Sequence, residues 1–368
     1  MTWRPNDQRL HRGSFPTRRA VLGGVAVAAT TFALSYRPAP DPDWTAVELS
    51  AKWSPRDSTA LLAHNNRLWL YGGINSKEGP PLRDGWSSAD GIHWRHEFDD
   101  APWVYASQGM SGVHDGRIWL LGGGVTQSGK DFRPANQVWS SADGAVWKLV
   151  TDNAAWEPRI GATVVEFKQM LWLMGGTARS PDPDGLASFN DVWISKDGVE
   201  WVKVNAAAPW APRAFHASVV HDGKMWIMGG GYWAKQPGLF GDIWNTEDGI
   251  TWQRVTSKAA WPERIWSTAS SYAGMIWVMG GFIEKPRGGA KDIWFSRNGQ
   301  DWQLYLPFRS LPPRHAPASI VFADALWVVG GSSDTDFLHD VWSLKLSEGW
   351  IDDSPIPPWL RNIYQSWH

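Results

Sequence analysis

The stretch Trp201–Trp252 is one copy of a unit that recurs six times along the chain. A paired glycine marks each copy, at Gly72-Gly73, Gly122-Gly123, Gly175-Gly176, Gly229-Gly230, Gly280-Gly281 and Gly330-Gly331, which sets a period of roughly fifty residues. A unit of that size cannot bury an apolar face alone and must stack on its neighbours. Within it, Trp201-Val202-Lys203-Val204 alternates apolar and polar, as a half-exposed strand does. A second run from Ala217 to Val220 stops at the turn pair Asp222-Gly223. Met225-Trp226-Ile227-Met228 is apolar on both faces, which predicts a strand inside a stack of sheets. Gly229-Gly230 then permits a sharp bend or close backbone approach. Asp242-Ile243-Trp244 leads through Asp248-Gly249, a strong hairpin signal, into the next copy.

Tryptophan fixes the register. Of the 29 tryptophans, 23 fall at four fixed positions of the unit: the third strand (Trp244), the strand before the glycines (Trp226), the start of the outer strand (Trp201) and nine residues later (Trp210). Rings placed so regularly are wedges between sheets rather than sugar platforms.

Four-stranded units of this length, with two glycines after the second strand, resemble kelch repeats. The resemblance runs from Trp44 to about Leu344 and implies an all-β, six-bladed kelch-type β-propeller. Segments such as SSADGIHW and TEDGITW also resemble the Asp-box hairpins of sialidases, but they are one residue short before the glycine and read as ordinary hairpins.

Residues 1–35 read as an export signal peptide. Five arginines against Asp7 precede an apolar run from Ala20 to Ala33, too short to span a bilayer comfortably. Thr17-Arg18-Arg19-Ala20-Val21-Leu22 resembles a twin-arginine signal, which implies a periplasmic or secreted protein. Residues 36–43 form a proline-rich linker, 44–344 the propeller, and 345–368 an aromatic and proline-rich tail. Trp44 opens an outer-strand pattern with no blade before it, so an N-terminal strand closing the last blade is expected. Trp350, eight residues after Trp342, is the rival for that place.

The formal charge of −2 becomes more negative without the basic leader, which argues against nucleic acid or an anionic membrane as partner. No second apolar run suggests an integral span in the mature chain. With no cysteine there is no disulfide or thiolate metal site, and no cofactor is expected. Galactose oxidase, which shares the kelch fold, needs a cysteine for its radical cofactor and is excluded. The chain also lacks GxSxG, HExxH and a phosphate loop, and Asp182-Pro183-Asp184-Gly185 is only half a calcium loop.

In an up-and-down blade the second-to-third loops and the blade connectors share one face. These loops vary in length and sequence, which makes theirs the recognition face. Arg56, Arg159, Arg213, Arg264 and Arg314 recur on it, with Ala106 breaking the series in the second unit. Five guanidiniums would suit an anionic glycan, an acidic peptide or a partner protein. Alternatively each pairs with a third-strand aspartate: Asp84, Asp191, Asp242, Asp292 or Asp340. Departures from the repeat add Tyr105, Tyr232, Trp233 and His315, together with His216 and Trp266 in an innermost strand where other units carry Ser58, Gly161, Ser267 or Ala316. Two readings stand: a binding module, or an enzyme resembling the kelch-type sialate epimerases (mutarotases). In the second, arginines would anchor a carboxylate and Glu284 or His216 would move the anomeric proton.

Overall fold

The computed structural model describes residues 42–77, 79, 81–103, 110–126, 132–179, 186–232, 238–347 and 350. The leader, most of the linker, Tyr105, Ala106, residues 182–185, Trp233 and the tail beyond Trp350 lie outside them.

Six four-stranded antiparallel sheets form an all-β, six-bladed propeller. Blade 1 is Ala60–His64, Arg67–Gly73, Leu82–Ser88 and Trp94–Phe98, ordered from the axis outwards. Blades 2 to 5 repeat this order, starting with Met110–His114, Thr163–Phe167, Ala217–His221 and Thr268–Tyr272. Blade 6 takes three strands from Ala318–Phe322, Ala325–Val329 and Val341–Leu344. Its outermost strand is Thr45–Glu48, which pairs antiparallel through Thr45 with Ser343 and Ala46 with Trp342. The first strands of successive blades touch all the way round, blade 6 meeting blade 1.

The second strands are buried on both faces, as their unbroken apolar runs require, and the sheets interlock through the tryptophans. Each third-to-fourth turn is built alike. In blade 4 the Gly249 amide donates to Thr246 Oγ1 (2.8 Å), while the Ile250 and Thr251 amides donate to Asp248 Oδ1 (2.8 and 2.7 Å). The turn glycine has positive φ and lies against the second-strand tryptophan of the preceding blade. A Cβ on Gly91, Gly144, Gly198, Gly249 or Gly299 would meet Trp327, Trp69, Trp119, Trp172 or Trp226 at 2.0–2.5 Å. Blade 6 has no such turn, because its outer strand comes from the other end of the chain. Trp277 of blade 5 is covered by Trp350 instead, at 6.2 Å between near-parallel rings. Both rivals for the closing position thus have a place: Trp44 precedes the outer strand and Trp350 caps the neighbouring blade.

The second-to-third connections differ from the expectation of plain loops. In blades 2 to 5 they form two-stranded hairpins, the last being Phe282–Glu284 with Arg287–Gly289. Among the described residues no helix is long and apolar enough to cross a membrane.

Candidate functional site

The arginine series is not an open anion mouth. Arg56, Arg159, Arg213, Arg264 and Arg314 are at most 1% exposed, and every guanidinium is filled. Arg159 shows the arrangement. Its Nε donates to the Glu157 carbonyl (3.0 Å) and Nη1 to the Gly175 carbonyl (2.8 Å). The fork grips Asp191 at 2.7 and 3.0 Å. Trp193 Nε1 donates to the same carboxylate at 2.7 Å. The other four arginines repeat this on Asp84, Asp242, Asp292 and Asp340. Burial alone would raise the Asp84, Asp242 and Asp292 carboxyls, but their arginines outweigh it and hold them below the usual carboxylate range. The ligand-binding expectation for these five residues is therefore corrected: they tie the glycine bend to the third strand. Blade 2 has Gln137 in the aspartate position, so arginine and aspartate are lost together there.

His216 is likewise inside the protein, 3% exposed, with Nε2 2.8 Å from Thr163 Oγ1. Burial, then the nearby Arg213 charge, lowers its pKa to about 3. It is a neutral packing residue, not a proton shuttle. It also does not share a column with Trp266. The structure aligns His216 with Thr59, Ala162, Ser267 and Pro317, and Trp266 with Ser58, Gly161, Phe215 and Ala316.

That second column forms a collar at the axis on the hairpin face. The Phe215 amide donates to the Gly161 carbonyl, Trp266 to Phe215, Ala316 to Trp266 and Ser58 to Ala316, at 2.7–3.1 Å. All five residues have φ between 50° and 61°. For Phe and Trp this conformation is strained by about 1–3 kcal/mol each, the kind of cost that clusters at ligand sites.

The collar carries two unlike walls. One is aromatic: Trp266 lies 5.4 Å from Phe215 and 6.1 Å from Phe282 between ring centroids. The other is polar and spans the seam between blades 6 and 1. Ser332 Oγ donates to Asp57 Oδ2 and lies 3.2 Å from His315 Nε2. Since the hydroxyl proton goes to Asp57, Nε2 is assigned as the donor to Ser332, which leaves Nδ1 as a free acceptor. Nδ1 is buried and makes no hydrogen bond. Burial raises the Asp57 carboxyl, only partly offset by the Ser332 and Ser58 hydroxyls, and lowers the His315 imidazolium. The His315 ring meets Trp266 at 5.6 Å and Phe282 at 6.0 Å, which joins the two walls.

His315 and Trp266 are thus brought together, whereas Tyr232 stands apart, 44% exposed on the blade 4 hairpin. Asp57, Ser332, Phe215, Phe282 and Arg287 were not singled out from the sequence. A signal did exist for Asp57: the residue after each arginine reads Asp57, Ile160, Ala214, Ile265 and His315, two polar departures in an apolar column. Arg287 is exposed on the blade 5 hairpin, with its guanidinium carbon 5.5 Å from the Phe282 centroid. It makes no ion pair among the described residues. Glu284 is its strand partner across the hairpin, with Oε1 buried and without a hydrogen bond.

No protein-family model matches the chain. Alpha-scruin of Limulus polyphemus is 32% identical over 130 residues, covering 33% of this chain and 14% of that protein. The leucine-zipper-like transcriptional regulator 1 homolog of Drosophila melanogaster is 25% identical over 186 residues, 48% of this chain and 18% of its own. The chain spans less than a fifth of the length of these curated relatives. Among solved structures, that of YjhT matches with a TM-score of 0.65 at 14% identity, over 80% of this chain and 96% of that one. The chain is related to kelch- and scruin-type propellers. These likenesses establish the fold and leave the chemistry to the collar.

Proposed function

We propose that the protein is a carbohydrate enzyme of the mutarotase kind, interconverting the anomers of a sugar acid such as sialic acid. The observation that supports it is the Asp57–Ser332–His315 chain set against an aromatic wall at the collar. His315 accepts the proton of the anomeric hydroxyl once the sugar has reached its buried Nδ1. The bond between anomeric carbon and ring oxygen breaks as the carbonyl forms, and the imidazolium returns that proton to the ring oxygen. Reclosure on the other carbonyl face reverses each step, so atoms and protons balance. Ser332 and Asp57 hold the ring in one tautomer. Trp266 offers a stacking face for the sugar, and Arg287 takes the carboxylate, the role that the buried arginines cannot fill. In the same reading the fold is of the kelch type, and the leader exports it to the periplasm or beyond.

The test is proton NMR of freshly dissolved sialic acid as its anomers equilibrate. The wild type speeds the approach at least about tenfold over buffer, within what one general acid–base group supplies. His315→Gln abolishes the gain, and Arg287→Ala raises KM with little change in kcat. Absence of acceleration by the wild type would falsify the reading. Binding without acceleration would leave a binding module, for which exposed Tyr232 is the best contact.

A further inference from the structure

A cleft of about 170 Å³ lies on blade 5 at the short-turn face, opposite the collar, lined by Met275, Phe295, Arg297, Asn298, Asp301 and Gln303. We propose that the chain's own tail, residues 351–368, docks along this cleft, led by Asp352 and Asp353 against Arg297.

Three observations support this occupant. The first is continuity. The described chain ends at Trp350, whose ring sits 5.6 Å from Phe295, a wall of the cleft, and 6.0 Å from Tyr305. The tail therefore starts at the cleft's edge, and at about 3.5 Å per residue Asp352 and Asp353 fall within reach of it. The second is a gap in the repeat. Every other blade receives its neighbour's turn glycine over the second-strand tryptophan, but blade 6 has no turn to give to blade 5. Residues after Leu344 already stand in for it: Leu346 is buried, its amide donates to Tyr272 Oη (3.0 Å), and Trp350 covers Trp277. The third is complementarity. Arg297 is exposed and makes no ion pair among the described residues, and Gln303 Oε1 is buried without a hydrogen-bond partner. The tail brings two acids first, then Ile356, Trp359, Leu360, Ile363, Tyr364 and Trp367. A separate partner protein would have to displace or extend the contact that Trp350 already makes.

The absence of native cysteine makes the test direct. In the full chain, Arg297→Cys with Asp352→Cys should form an intramolecular disulfide under mild oxidation. The expected yield is at least about tenfold that of a control pairing Asp352→Cys with Val146→Cys on the distant blade 2 turn. Equal yields for the two pairs, or disulfides only between molecules, overturn the proposal, the latter pointing to a second copy in the cleft. An independent readout is amide exchange in residues 351–368. The Asp352→Lys/Asp353→Lys variant should exchange there at least about tenfold faster than the wild type. An unchanged rate refutes the docking.

Discussion

The two ends of the propeller are made from the same repeat and used differently. On the short-turn face five turns carry the same atoms in the same places: a Ser or Thr hydroxyl, an Asp or Asn side chain and a glycine against a tryptophan. On the hairpin face the collar reads Ser58, Gly161, Phe215, Trp266 and Ala316, with identical backbone but five different side chains. Backbone geometry is what the fold needs from the collar, so its side chains are free to vary. The arginines belong with the turns in this respect. They lie near the hairpin face but recur with the same aspartate partner in five of the six blades, and they prove to be struts.

The largest effect should come from breaking a strut. Arg159→Ala leaves Asp191 buried without its cation and the Gly175 carbonyl without a donor. Removing one partner of a buried pair costs about 3–5 kcal/mol. Arg287→Ala, an exposed arginine on the same face, should change stability by less than about 0.5 kcal/mol. Urea denaturation of both variants measures the contrast. Equal effects would place the two arginines in one class and erase the distinction between strut and site.

The same contrast explains what the chain disclosed before its fold was known. Six glycine pairs and four tryptophan columns were enough for the blades, because each recurs at a fixed spacing. Spacing leaves the role of the arginines open, since each aspartate lies 26–32 residues further on and distance along the chain cannot show who holds it. Blade 2, which lacks both partners, held the clue. Asp57 and Ser332 are 275 residues apart and meet only where blade 6 closes on blade 1, so no local pattern could join them. His216 misled because an irregular residue in an inner strand reads the same whether it faces the ligand or the core.

His216 supplies the next test. Its folded-state pKa of about 3 lies below the ordinary 6.5, so the unfolded chain binds the proton more readily. Stability from this group is complete above pH 6.5 and falls as the pH drops from there towards 3. At pH 5 the loss is about 2 kcal/mol. His216→Leu should remove that part of the slope whatever its own effect at pH 7. Unfolding midpoints at pH 7 and pH 5 for both proteins decide it. An unchanged slope would mean that the imidazole can reach water, and His216 would return to the list of site residues.

The smallest effect separates two glycines of the short-turn face. Gly223 and Gly249 both have positive φ, 67° and 78°, so alanine is strained at either by about 1 kcal/mol. A Cβ at Gly223 would meet nothing within 4 Å, whereas at Gly249 it would meet the Trp172 ring at 2.0 Å. Trp172 is held by its own Nε1 bond to the Phe167 carbonyl (2.8 Å) and cannot retreat without losing it. Gly249→Ala should therefore cost about 1 kcal/mol more than Gly223→Ala, the lower end of overpacking penalties. The comparison subtracts the backbone strain common to both and isolates the contact between blades. If the two alanines cost the same, the tryptophan beneath the turn is not a fixed stop, and the uniformity of the five turns reflects hairpin geometry alone.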